Sequence, residues 1–247
     1  MSPRALFAGP GALRGLRGAP HGVVELVLRR AAYVRLGDDW LLVAEPRVPF
    51  GPLSLGVVEL RWDELRPGQP ARAGPGRLLL GHQPVSLERV RERRPAVTTR
   101  PIRAAAASTA AAVAAALEVA GPPPRCVEPG LLALKGGLIR DGVWRLAGRG
   151  GGLTPAGDDA LAGYAAWRQS MGAPAAVSAL AANRSSPLGL AYLRCAERGE
   201  LPDSGAGVLA ALHAGDRDAA GRAALALRDW GASSGNALLW GICAAAA

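Results

Sequence analysis

The sequence predicts an α+β fold: a β-rich first part over residues 1–100, an antiparallel sheet or small barrel, then a mostly α-helical part over residues 101–247. Three observations predict it. Short runs of Val, Leu and aromatic residues, with Pro and Gly in every gap, fill the first hundred positions. From Ala104 onward the pattern turns Ala-rich and helical, with start and stop signals at intervals. Apolar residues make up 49% of the chain but aromatic residues only 4%, so the core rests on Leu, Val and Ala, a composition suited to closely packed helices.

In chain order, Val23–Arg30, Ala32–Leu36 and Trp40–Glu45 read as strands, the last two joined by a hairpin turn at Gly37-Asp38-Asp39. Ser54–Arg61 and Arg77–Leu80 read as further strands, and no helical period separates any of them. Ala104–Ala120 reads as a helix stopped by Gly121-Pro122-Pro123-Pro124. Leu131–Leu146 is compatible with a short helix followed by a strand. Helices are then expected at Pro155–Ser170, Pro174–Ala182, Pro187–Arg198, Gly205–His213, Arg217–Trp230 and Ala237–Ala246, with Asp216 as N-cap and Gly231 as terminator of the fifth.

The formal charge of +9 is uneven: residues 1–103 carry 17 basic and 9 acidic side chains, residues 104–247 carry 12 and 11. The excess is spread out, dense only at Glu88–Arg94, and no basic stripe is interleaved with aromatics, so nucleic acid is not the expected partner. An acidic small molecule fits the charge equally well. Cys126, Cys195 and Cys243 form no CxxC pair, and the opening MSPRALFAGPGALRG holds too short an apolar run for a signal peptide. A reducing cytoplasm is the expected location. Ala104–Ala120 contains Ser108, Thr109 and Glu118 and reads as a packed helix rather than a membrane span.

The densest local signal is GRGGGLTPAGDDALAG, Gly148–Gly163. Thr154-Pro155 is a strong helix start, Thr as N-cap and Pro at the first helical position, and Asp158 and Asp159 then fall where the helix dipole favours carboxylates. A capped turn explains that much. It leaves Gly150-Gly151-Gly152 and Gly157 unexplained, since each costs backbone entropy and Gly157 sits where Ala is better by about 1 kcal/mol. Free amides in a Gly-rich turn at a helix start form an anion cradle. The two aspartates then call either for a divalent cation such as Mg²⁺ between carboxylate and anion, or for an amide-bearing ligand whose acidic end meets the backbone. Arg149 stands beside the turn, where it can meet an acidic group.

A second stretch repeats the pattern. Gly157–Gly163 and Gly235–Gly241 both run G-[D/N]-x-x-L-x-G, both follow a hydroxyl residue and both open a helix. Either two helix starts converge on one pocket, with Ser233, Ser234, Gly235 and Asn236 facing the first motif, or Ser233 or Ser234 simply caps the last helix.

These residues carry a resemblance. GGGLTPAGDD at Gly150–Asp159, followed by Gly231-Ala232-Ser233-Ser234-Gly235, resembles a bacterial family that includes the small subunit of oxamate carbamoyltransferase, from anaerobic allantoin breakdown. The β-rich opening with His21-Gly22-Val23 also fits. The resemblance implies carbamoyl transfer between oxamate and carbamoyl phosphate, in a complex with larger partner subunits. It implies a site lined by Gly150–Gly152, Thr154 and Gly157–Asp159 with Ser233–Gly235 opposite. Asp158 or Asp159 would take a proton or hold the metal. Ala232 and Asn236 depart from the family's frequent His and Asp, which favours as an alternative a non-catalytic metabolite-binding or regulatory module.

The remaining candidates are weaker. His21 precedes a strand and is a candidate to reach the ligand. His213 sits at a predicted helix end and reads as structural, and Trp144, Trp167, Trp230 and Trp240 read as core rather than stacking platforms. Cys126 reads as incidental. The histidines have no HxH or HExxH spacing.

Overall fold

The structure is a computed structural model and describes residues 2–94 and 106–247. The chain divides into two compact units, 1–94 and 95–247.

The N-terminal unit is an eight-stranded barrel. Its strands are β1 (Arg4–Ala8), β2 (His21–Leu28), β3 (Ala31–Leu36), β4 (Asp39–Ala44), β5 (Ser54–Val58), β6 (Pro70–Gly74), β7 (Arg77–Leu80) and β8 (Gln83–Ser86), with a short β9 (Arg91–Glu92) alongside. The order β5-β4-β3-β2-β6-β7-β8-β1 closes on itself because β1 also pairs with β5. Most pairings are antiparallel, as the sequence suggests, but β4–β5, β1–β8 and β1–β9 are parallel. Alternation sets the interior: Ala32, Val34 and Leu36 of β3 are fully buried while Tyr33 and Arg35 between them are half-buried. Leu41, Val43, Leu55, Val57, Leu78, Leu80 and Val85 complete that core.

Sequence reasoning misses α1 (Pro10–Gly18). It allowed no helix among the strands, and the run PGALRGLRG is too Gly-rich to read as one. Pro10 fits the first helical position, and Ala12 and Gly15 form the buried face. Gly9 ahead of it is required: a Cβ there would lie 2.3 Å from the Pro52 carbonyl oxygen.

The C-terminal unit is helical: α2 (Ala106–Ala120), α3 (Glu128–Lys135), α4 (Ile139–Leu146), α5 (Ala156–Ser170), α6 (Val177–Ala181), α7 (Pro187–Ala196), α8 (Asp203–Ala214), α9 (Arg217–Arg228) and α10 (Ser234–Ala246). Ala104 and Ala105 of the expected first helix lie outside the described residues. The expected strand near Leu146 is instead helix α4, whose Gly142, Val143 and Leu146 make a buried face. Asp216 caps α9 as expected, accepting from the Ala219 amide. Gly231 adopts the left-handed φ of 66° that a chain reversal needs, beyond the end of α9.

The centre of this unit is α5 against α10. Every residue from Gly157 to Trp167 is buried, as are Gly235 and Ala237 to Cys243. Helices buried all round need small residues where they cross. Gly163 and Gly241 provide them: a Cβ on Gly163 would lie 2.1 Å from the Leu238 carbonyl oxygen, and one on Gly241 would lie 1.8 Å from that of Ala160. Ala160 and Leu238 hold the same place in the repeated motif, so the contact is reciprocal. None of the described helices is long and apolar enough to cross a membrane.

Candidate functional site

The repeated motif folds into two equivalent helix starts, each preceded by a helix and a loop. Gly157 and Gly235 do one job in both. A Cβ at 157 would lie 1.9 Å from the Leu146 carbonyl oxygen at the end of α4, and one at 235 would lie 1.9 Å from that of Leu227 near the end of α9. The missing side chain at each helix start admits the backbone of the preceding helix. That gives Gly157 a packing reason which sequence reasoning assigned to a ligand.

The loop from Arg149 to Thr154 leaves the body between two pinned points. The Arg149 amide donates to the Leu146 carbonyl at 2.8 Å, and the Gly157 amide donates to the Arg149 carbonyl at 2.8 Å. Arg149, Gly150, Gly151, Gly152 and Leu153 are exposed. Gly150 and Gly152 take left-handed φ of 111° and 91°, a region that favours glycine. A Cβ on Gly151 or Gly152 would meet nothing within 4 Å. At these two glycines the backbone faces open space, whereas a Cβ on Gly150 would lie 2.8 Å from the Ala156 amide nitrogen.

Asp158 is fully buried and holds the base of this loop together. One oxygen accepts from the Gly148 amide at 2.7 Å and the Ser185 hydroxyl at 2.8 Å; the other accepts from the Ser186 amide at 2.9 Å. Ser186 N-caps α7 through the Gly189 amide and donates its hydroxyl to the Leu153 carbonyl at 2.8 Å. Gly189 leaves room for the carboxylate, since a Cβ there would lie 2.3 Å from Asp158 Oδ2. Ser185, Ser186 and Gly189 escaped the sequence analysis. Ser-Ser-Pro ahead of an apolar run was a legible cap, but nothing local linked it to a carboxylate 27 residues earlier.

Asp159 is different. It is 7% exposed, and its Oδ2 has no hydrogen-bond partner among the described residues. Burial pushes its carboxyl up from an ordinary 3.8 to about 7; hydrogen bonding with Ser234 and Thr154 opposes this, and the Asp158 charge adds to it. Thr154 is not the N-cap the sequence suggested. Pro155 holds that place without a side-chain cap, and Thr154 Oγ1 lies 3.1 Å from Ser234 Oγ. Thr154, Asp159 and Ser234 therefore cluster between the starts of α5 and α10.

The other residues singled out by the sequence are placed as follows. Ser233 precedes α10 as its N-cap residue, exposed and without a side-chain cap bond. Gly235 is buried, and Asn236, half-buried, has its Oδ1 buried without a partner. His21 belongs to the barrel unit, exposed at the start of β2 and paired with Arg72. His213 is buried, stacked on Trp167 at 4.6 Å with its Nε2 2.9 Å from the Ser170 hydroxyl, and burial lowers its pKa.

Asp158 does not fit as a magnesium ligand. Both Asp158 oxygens already accept from amide or hydroxyl donors. No three His, Cys, Asp or Glu side chains converge among the described residues.

Fold and site define a class: a two-unit α+β protein, a small β-barrel followed by a helical body with paired glycine-opened helix starts. Residues 146–246, which hold both motifs and the cluster between them, match the model of the family described as oxamate carbamoyltransferase subunit AllH. The family resemblance read from the two motifs is borne out over that stretch. Comparison with curated proteins and with solved structures gives no match.

Proposed function

We propose that this chain is a subunit of an oxamate carbamoyltransferase-type enzyme and binds a small carboxylate or carbamoyl ligand at the start of α5. Asp159 carries the reading: a buried carboxyl with an unpartnered oxygen, two hydroxyls beside it and an open glycine loop next along the chain. A buried acceptor left orphaned in the protein alone is satisfied when a ligand N–H arrives.

In this reading the free amides of Gly150–Gly152, with Arg149, take the acidic end of the ligand. The amide nitrogen of oxamate attacks the carbamoyl carbon. A nitrogen–carbon bond forms, the carbon–oxygen bond to phosphate breaks, and phosphate leaves with the electron pair. The nitrogen's proton passes to Asp159 Oδ2. A carboxyl titrating near 7 suits that transfer in either direction at neutral pH. Thr154 and Ser234 orient the carboxyl, and Asp158 positions the loop. The family's description as a subunit supports the need for partner subunits.

The test is carbamoyl transfer by the full chain reconstituted with partner subunits. Asp159→Asn should lower turnover by about 100-fold or more without lowering the melting temperature of the chain. Wild-type turnover in that variant, or a melting temperature that oxamate and carbamoyl phosphate leave unmoved, overturns the reading.

A further inference from the structure

The one dense basic run of the sequence, Glu88–Arg94, has no part in the site above. It lies in the barrel unit, where β9 runs parallel to β1 with Phe7 opposite Arg91. Beside these strands opens a cleft of about 1070 Å³ whose lining includes Arg4, Glu59, Arg89, Arg91 and Arg93. We propose that this cleft binds a polyvalent small anion, one that carries phosphoryl groups or paired carboxylates.

A basic run is ordinarily a solvated face, and three observations separate this one from that case. Arg93 is held in place: its guanidinium lies 4.7 Å from the Phe50 ring centroid and 5.5 Å from that of Phe7. The two rings meet edge to face at 5.2 Å, and they are the chain's only phenylalanines. Arg91 and Arg93, two apart in the chain, both line the cleft, and Arg89 joins them from the preceding turn. Among the described residues no carboxylate pairs with Arg89 or Arg91. Glu88 also lines the cleft, which leaves four arginines, Arg4, Arg89, Arg91 and Arg93, against two glutamates, Glu59 and Glu88, in a cavity of ligand size.

Glu59 adds the third observation. It is the one non-glycine residue with left-handed φ among the described residues, at 64°. Such backbone is strained at a non-glycine residue and gathers at functional positions. Here it follows β5 and holds Glu59 Oε2, itself buried without a hydrogen-bond partner, 3.9 Å from Arg4 Nη1. Glu59 positions Arg4 at the wall of the cleft. Guanidinium groups from separate segments then offer planar, forked donors to the oxygens of one anion.

Calorimetric titration of the full chain tests this, with pyrophosphate and citrate as separate probes at moderate salt. At least one should saturate a single site with Kd below about 1 mM; which one does identifies the phosphoryl or carboxylate source. Replacing Arg89 and Arg91 together by Ala should weaken it about tenfold or more. The control Arg29→Ala with Arg47→Ala removes the same charge elsewhere on the unit and should leave it unchanged. The proposal is overturned if neither probe saturates, if both double variants weaken binding alike, or if a single-stranded oligonucleotide displaces the probe with a steep salt dependence.

Discussion

Thr154 and Ser234, 80 residues apart in the chain, bring their hydroxyl oxygens to 3.1 Å. This bond ties the start of α5 to the start of α10 directly beside Asp159.

The pair should be coupled. Thr154→Ala and Ser234→Ala each remove one hydroxyl, and the double variant should destabilise by less than the sum of the two. A coupling of about 0.5–1.5 kcal/mol is expected from urea unfolding of all four proteins. Simple additivity would mean that the hydroxyls do not bond in solution.

Asp159 should make stability fall as pH rises. Its folded pKa, about 7, lies above the ordinary 3.8, so the folded chain holds the proton more tightly. The stability from the protonated group is complete below pH 3.8 and is lost as pH rises through about 7, a change on the order of 4 kcal/mol. Asp159→Asn should flatten that dependence and melt higher than the wild type at pH 8. Melting curves from pH 5 to 8 check both, and a flat wild-type profile would place the carboxyl in the ordinary range.

Asp158 should matter to stability far more than its neighbour. Asp158→Ala strands the Gly148 amide, the Ser185 hydroxyl and the Ser186 amide at once. A loss of about 3 kcal/mol or more in chemical denaturation is expected. Asp158→Asn keeps an acceptor but points a donor at other donors, so it should recover only part of that.

Gly163→Ala should destabilise although Ala is the better helix former. The added methyl would sit 2.1 Å from the Leu238 carbonyl oxygen and force α5 and α10 apart, costing about 1–3 kcal/mol. Gly221→Ala is the matched comparison. It lies within α9 with nothing inside 4 Å, and the same change there should stabilise by about 0.5–1 kcal/mol.

Gly151→Ala should separate folding from binding. Its φ is not left-handed and its Cβ would meet open space, so the melting temperature should hold or rise slightly. If the loop backbone touches a ligand closely, oxamate affinity should drop in the same variant. A variant that binds as well as the wild type would remove the close approach from the proposed site.

The helical half was legible because its signals are local. Pro187, Asp216 and the Gly235 motif sit at or near helix ends, and the Ala-rich composition between such signals did the rest. The barrel was legible in its longer strands but not in its closure. β1, β8 and β9 are short and take their identity from partners tens of residues away. At the site, the glycines could be found in the sequence, but their division of labour could not. Gly157 serves the Leu146 carbonyl while Gly151 faces open space, and only the fold distinguishes them. The two adjacent aspartates looked equivalent until Ser185 and Ser186 arrived from α7 to claim one of them.

The barrel's seam runs along Arg4–Ala8, a strand that pairs with Ser54–Val58, Ser86 and Arg91–Glu92. A nascent chain makes this strand first among the barrel's strands and must then wait for about eighty residues of synthesis before its last neighbour, Arg91–Glu92, exists. Contacts so distant in sequence slow the search for the native arrangement, and an unpaired edge is adhesive in the meantime. Chaperone demand during biosynthesis should therefore concentrate on the barrel unit, while the helices consolidate from nearby partners.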